Sequence, residues 1–219
     1  MRWTLKALSM LITYPDAALR EKLPGLVAAL ETDAALARPH REALLALAGE
    51  IASADGLEAE EAYVDVFDRG RATSLNLFEH LHGDSRDRGP AMVDLQQVYE
   101  RAGLKLSAKQ LPDYLPVLLE FLSTREAREV RETLADCAHL VRALGESLRD
   151  RESPYAAVPA AILALAGEPG LGAGPTPRRE PDKSIDEEWR DAEVVFGPAA
   201  ACGKQTPSSS VVRFTPRAS

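Results

Sequence analysis

The run LFEHLHGDSRDRGPAMVDL, residues 77–95, concentrates Glu79, His80, His82, Asp84, Asp87, Arg86 and Arg88 in one short stretch. Glu79 and His82 form a Glu-x-x-His pair, and residues three apart share a helix face. Di-iron bundles use that pair, but they need a second copy and two further Glu ligands. No second Glu-x-x-His occurs in the chain. His80 and His82 are two apart, so a helix would turn them to opposite sides, away from the His-x-x-x-His pattern of zinc sites. Ser85 has acidic and basic neighbours but no Gly-x-Ser-x-Gly elbow to activate it. No phosphate cradle or cofactor fingerprint is present, so neither a cofactor nor a resident metal is expected. Acid–base work by Asp84, Asp87 or the histidines is the remaining enzymatic chemistry. A metal-assisted hydrolase built on Glu79, His82 and Asp84 is therefore the catalytic alternative. The plain structural alternative is an interhelix turn, with Asp84 and Ser85 capping the next helix and the arginines paired to nearby carboxylates. Exposed pairs of that kind contribute only about 0–1 kcal/mol each.

A second chemistry lies in acidic and aromatic residues at helical spacing. Glu58, Glu61, Asp65 and Asp68 fall three, four and three apart and form a carboxylate stripe, with Tyr63 and Phe67 on another face. In LPDYLPVLLEFLS, Asp113 pairs with Glu120 and Tyr114 with Phe121 at a spacing of seven. A solvated helix face is the simple reading of each. The functional reading is a groove for a helical peptide, with Tyr63, Phe67, Tyr114 and Phe121 as apolar anchors and the acids selecting a basic flank. Each well-buried anchor would contribute roughly 1.5–3 kcal/mol.

The elements that must position these residues are helices. Apolar residues recur at helical spacing almost everywhere up to about residue 166, with no convincing strand. Leu8, Leu11 and Ile12 begin the pattern, and Tyr14-Pro15-Asp16 ends the first helix. Residues 16–31 read as helical but interrupted at Pro24, which has no amide to donate. Helices are also expected over 41–55, 57–68 and 74–82, the last stopping at Gly83. Pro90 suits the first turn of the next helix, which carries Met92, Leu95 and Tyr99 to Gly103. Over 113–123, Asp113 is the expected cap and Pro116 sits in the first turn. Val130, Leu134, Cys137, Val141, Leu144 and Leu148 predict a single long helix over 125–148. YAAVPAAILALAG supplies a last core helix.

The expectation is an all-α protein, a single-domain multi-helix bundle over residues 1–166 with a flexible C-terminal extension. A Gly/Pro-rich linker spans 167–183. Over 184–197, Ser184 and Glu187 have capping-box spacing, and Ile185, Trp189, Ala192 and Phe196 make a short amphipathic helix. Residues 198–219 read as a disordered tail.

Composition narrows the partners. A formal net charge of −8 opposes nucleic acid and suits a client with a basic segment. The two cysteines, Cys137 and Cys202, are far apart, as fits a reducing compartment. MRWTLKALSMLITYPD reads as a core helix rather than a targeting segment, because YPD stands where small cleavage-site residues belong. No run approaches the ~20 apolar residues that span a bilayer, so no membrane insertion is expected, and the expected address is the cytoplasm.

YVDVFDRGRATSLNLFEHLHGDSRDRGPAMVDL and LPDYLPVLLEFLS, with a weaker match in IDEEWRDAEVVFG, resemble the nitrate reductase delta subunit family of molybdenum cofactor assembly chaperones, within the wider redox-enzyme maturation chaperones. The resemblance covers most of residues 1–200. It implies an all-helical cytoplasmic chaperone and no enzyme. The implied partner is the apo catalytic alpha subunit of respiratory nitrate reductase, including its N-terminal signal-like segment. The chaperone would keep that subunit competent for molybdenum cofactor and iron–sulfur insertion, delay membrane docking, and be absent from the mature enzyme. Proteins that make the molybdenum cofactor are candidate further partners. Carried onto this chain, the implied recognition region comprises Tyr63, Phe67, Asp68, Glu79, His80, His82, Gly83, Asp84, Arg86, Asp87 and Arg88. Asp113, Tyr114, Pro116 and Glu120 join it from the second segment. A generic helical adaptor is the other non-enzymatic alternative.

Overall fold

A computed structural model describes residues 1–82, 87–106 and 110–172, the His82 side chain excepted. Among the described residues the chain is helical: α1 Arg2–Leu11, α2 Ala17–Thr32, α3 Arg38–Ser53, α4 Gly56–Phe67, α5 Leu77–His82, α6 Arg88–Arg101, α7 Leu115–Leu122, α8 Ala127–Asp136, α9 Ala138–Asp150 and α10 Ala157–Ala166. Short 3-10 turns at Arg71–Thr73 and Pro154–Ala156 complete it. The sole extended pairing among these residues is one antiparallel bridge, Asn76 with Tyr114. Most of the expected linker, and all of the expected 184–197 helix and tail, lie outside the described residues.

The bundle is organised around α10, which packs on α9, α8, α3 and α1. Its sequence is apolar nearly all round, and Val158, Ala161, Ile162 and Leu163 are fully buried. Gly167 ends it at φ +80, a conformation that a side chain disfavours. α1 lies along α7 and buries Leu5, Leu8 and Leu11, and the Ser9 hydroxyl donates to the Pro116 carbonyl at 2.8 Å. α2 pairs with α3, and Asp16 caps α2 by accepting the Leu19 amide at 2.8 Å. The Met1 ammonium donates to both Asp33 carboxylate oxygens at 2.7 Å, and the Thr4 amide donates to one of them.

Four local expectations are corrected. α2 runs unbroken through Pro24. The proline lies on the exposed face, where the Arg20 carbonyl that loses its donor can reach water, while Leu19, Leu23, Leu26 and Leu30 bury the other face. The long helix over 125–148 is two, α8 and α9, meeting at Cys137 with φ −96 and ψ 6. The apolar seam continues across the break, and each half packs on α10. Residues 74–76 are not helical, because their backbone pairs with 113–115 instead. Asp113 does not cap α7, whose N-cap is Tyr114. Its carboxylate is captured elsewhere.

Candidate peptide-recognition site

The central charged run and LPDYLPVLLEFLS are joined by backbone. The Leu77 amide donates to the Asp113 carbonyl at 3.0 Å, and the Leu115 amide to the Leu75 carbonyl at 2.8 Å. Pro112 and Pro116 suit this arrangement. Pro112 lacks the amide that would carry α7 backwards, and Pro116 sits in the first turn, where none is needed.

The Asp113 side chain, fully buried, turns to the start of α5, where its Oδ2 accepts the Phe78 amide at 3.0 Å. Arg88 at the start of α6 stands 3.8 Å from Asp113 Oδ2 and 3.3 Å from Glu79 Oε1. One guanidinium is thus shared by two carboxylates from two segments. Burial pushes the Asp113 carboxyl above its ordinary range, and the Phe78 amide and Arg88 only partly offset that. Burial also pushes Glu79 upward, but hydrogen bonding from Ser74, the Arg88 charge and Asn76 outweigh it and hold Glu79 below its ordinary range. Asp113 Oδ1 and Arg88 Nε are buried without a hydrogen-bond partner. His80 contacts the Ser74 carbonyl through Nε2 at 2.8 Å. These residues form a clamp that fixes α5, α6 and α7 relative to one another.

Tyr114, a member of the bridge, also belongs to an aromatic cluster. The Tyr63 hydroxyl donates to the Ile12 carbonyl at 3.0 Å and lies 3.4 Å from the Tyr114 hydroxyl. Tyr63 stacks with Phe67 at 4.7 Å between centroids, and Tyr155 meets Phe67 edge-on at 5.0 Å. Tyr14 meets Tyr63 edge-on at 5.6 Å, and its hydroxyl donates to Glu60 Oε2 at 2.8 Å. The Glu60 hydrogen bond raises the Tyr14 hydroxyl and burial raises those of Tyr63 and Tyr114, and the Asp68 charge at the end of α4 adds a smaller push to each. Tyr14 is 41% exposed and Tyr114 half-buried, so a tyrosine rim edged by Glu60 and Asp68 faces solvent. Such a rim can seat an apolar side chain and attract a cation.

Tyr63, Phe67 and Phe121 are core side chains, each 5–7% exposed, which corrects the expectation that they are open anchors. Pro116 is buried, and because Asp113 is buried while Glu120 is exposed, the two acids form no joint stripe. Glu58, Glu61, Asp65 and Asp68 are all exposed on α4. Asp87 is exposed at the N-cap of α6. Gly83, Asp84 and Arg86, with the His82 side chain, lie outside the described residues. Glu79, the first member of the hydrolase alternative, is engaged with Arg88 and Asn76. No three His, Cys, Asp or Glu side chains converge among the described residues. Tyr14, Glu60 and Tyr155 were not expected at the site. Tyr14 follows the last apolar position of α1 and belongs to no periodic pattern, and its place beside Pro15 is the only local signal.

Among the described residues the chain is helical, and this fold recurs in a solved structure. A protein from Archaeoglobus fulgidus, described as a redox enzyme maturation protein, superposes with a TM-score of 0.57 at 22% identity, covering 77% of this chain and 94% of that one. The nitrate reductase delta subunit family matches over residues 16–160, and the chain belongs to that family. It is 37% identical over 216 residues to the nitrate reductase molybdenum cofactor assembly chaperone NarJ of Escherichia coli K12, covering 96% of this chain and 92% of that one. It is also 35% identical over 155 residues to the nitrate reductase-like protein NarX of Mycobacterium tuberculosis H37Rv, where the match spans 70% of this chain and 23% of that protein.

Proposed function

We propose that this chain is a molybdenum cofactor assembly chaperone for nitrate reductase, acting in the cytoplasm on the apo catalytic alpha subunit. It binds that subunit's N-terminal signal-like segment and keeps the subunit open for molybdenum cofactor and iron–sulfur cluster insertion. It leaves before the finished enzyme docks at the membrane. The observation that carries this reading is the solvent-facing tyrosine rim of Tyr14 and Tyr114, edged by Glu60 and Asp68, on a chain of net charge −8. Burial of an apolar side chain on the rim supplies affinity, and the carboxylates select a basic flank and speed encounter. The Glu79–Arg88–Asp113 clamp holds the start of α7, and hence Tyr114, in place.

The test is titration of a peptide of the alpha subunit's N-terminal segment into wild type, Tyr14→Ala, Tyr114→Ala and Asp68→Asn. Losing one anchor should weaken binding about ten-fold or more. Asp68→Asn should weaken it less, and the difference should shrink at high salt. Unchanged affinity in all three variants removes the rim from the binding site. Co-purification with the apo alpha subunit but not the cofactor-loaded one separates a chaperone from a generic adaptor.

A further inference from the structure

We propose that the groove between α2 and α3 extends the client-binding site, and that it seats the apolar run of the segment whose basic flank meets the tyrosine rim. This deepens the client reading above and rests on it.

α2 and α3 follow one another and pack side by side. Along their outward edges lies an open groove of about 860 Å³. Buried Leu23 and Ala48 and half-buried Val27 and Leu45 line it, with exposed Pro24 and Gly49. A side chain on Gly49 would begin in open space, with no atom within 4 Å of its Cβ. Neither Pro24 nor Gly49 serves the helix that holds it. Both residue types weaken a helix interior, and no neighbour of Gly49 demands the absence of a side chain. What the two provide is room and a polar group. Pro24 leaves the Arg20 carbonyl without its helical donor, and both residues line the groove, so an acceptor stands beside apolar surface.

Charge narrows the occupant. Exposed Glu21 and Glu31 line the groove, and ten residues of helix set them about 15 Å apart. Arg20, the sole cation lining it among the described residues, is turned aside to donate to the Ala54 carbonyl at 2.6 Å. An apolar helical segment that carries cations complements this surface. A signal-like segment has that chemistry, with about 7–15 apolar residues behind a basic stretch.

The groove also ends beside the rim. Arg20 and Ala52 line one end, and a Cβ on Gly56 would stand 2.8 Å from the Arg20 guanidinium. Glu60, which accepts the Tyr14 hydroxyl, is one turn of α4 beyond Gly56 on the same face. A segment with its basic stretch at Glu60 and Asp68 can therefore lay its apolar run along α2 and α3.

Peptide titration and cross-linking on the full chain test this. Gly49→Leu fills the groove from an open position in a helix interior, so Tm should hold or rise. It should weaken binding of a peptide of the alpha subunit's N-terminal segment about ten-fold or more. Val27→Ser, at a half-buried position, should weaken binding in the same direction. A benzophenone in the middle of the peptide's apolar run should cross-link to α2 and α3. The groove is overturned if Gly49→Leu and Val27→Ser bind as wild type does while Tyr14→Ala loses affinity, or if the probe cross-links only outside α2 and α3; the rim then stands alone as the client site. A peptide that binds neither wild type nor any variant refutes the client reading and the groove together. A free chain that self-associates in sedimentation velocity, and that Gly49→Leu renders monomeric, makes the groove an interface between copies and also overturns the proposal.

Discussion

Replacing Asp113 separates the clamp's hydrogen bonding from its charge. Asp113→Ala deprives the Phe78 amide of its side-chain acceptor and leaves Arg88 with Glu79. A hydrogen bond to a charged group contributes about 1.5–3 kcal/mol. The full ~3–5 kcal/mol of an orphaned buried charge does not apply, because Arg88 keeps a carboxylate. Against the loss stands relief of Asp113 itself, buried with Oδ1 unpartnered. The expected cost of Ala is about 2 kcal/mol near neutral pH. Asp113→Asn keeps an oxygen for the Phe78 amide and removes the buried charge, so it should fall within about 1 kcal/mol of wild type. The two variants also differ from wild type in pH dependence. The folded carboxyl titrates above its ordinary value of 3.8, so between the two values the folded state holds a proton that the unfolded state releases. Wild type therefore loses stability relative to Asn as pH rises from 3.8 through the folded value. Urea unfolding followed by circular dichroism from about pH 4 to 7 reads both effects. A cost for Ala below about 0.5 kcal/mol, or wild type gaining on Asn as pH rises, would refute the assignment.

Asp33 gives the opposite sign. Burial opposes its charge, but hydrogen bonds from the Met1 ammonium and Thr4 win and lower it from 3.8 to about 2. The advantage of wild type over Asp33→Asn, about 1–2 kcal/mol after allowance for solvent, should be present above pH 3.8 and vanish as pH falls through about 2 in acid unfolding curves. Gly145→Ala places a Cβ 2.6 Å from Leu171 and 3.1 Å from Pro159, and only Leu171 can yield. It should free the segment that Arg142 ties down through the Pro169 and Gly170 carbonyls, seen as faster proteolysis there at a cost of about 1–2 kcal/mol. Burial raises the Cys137 thiol to about 11. In a Cys202→Ser background, Cys137 should resist a thiol reagent at pH 8 and react only on unfolding.

The helices were legible because apolar spacing reports directly which face is buried. Pro24 misled because a proline ends a helix only where the freed carbonyl has no other partner, and exposure of that face is a tertiary fact. The break at Cys137 carries no Gly or Pro, and its apolar seam is continuous, so nothing local marks it. The Tyr114–Phe121 spacing predicts a shared helix face, but Tyr114 is the extended N-cap of α7, and Phe121 packs against Tyr99 from another helix. Asp113 stands where a cap belongs, yet its carboxylate is taken by the amide of Phe78, far away in sequence. Each miss concerns which distant group completes a local pattern.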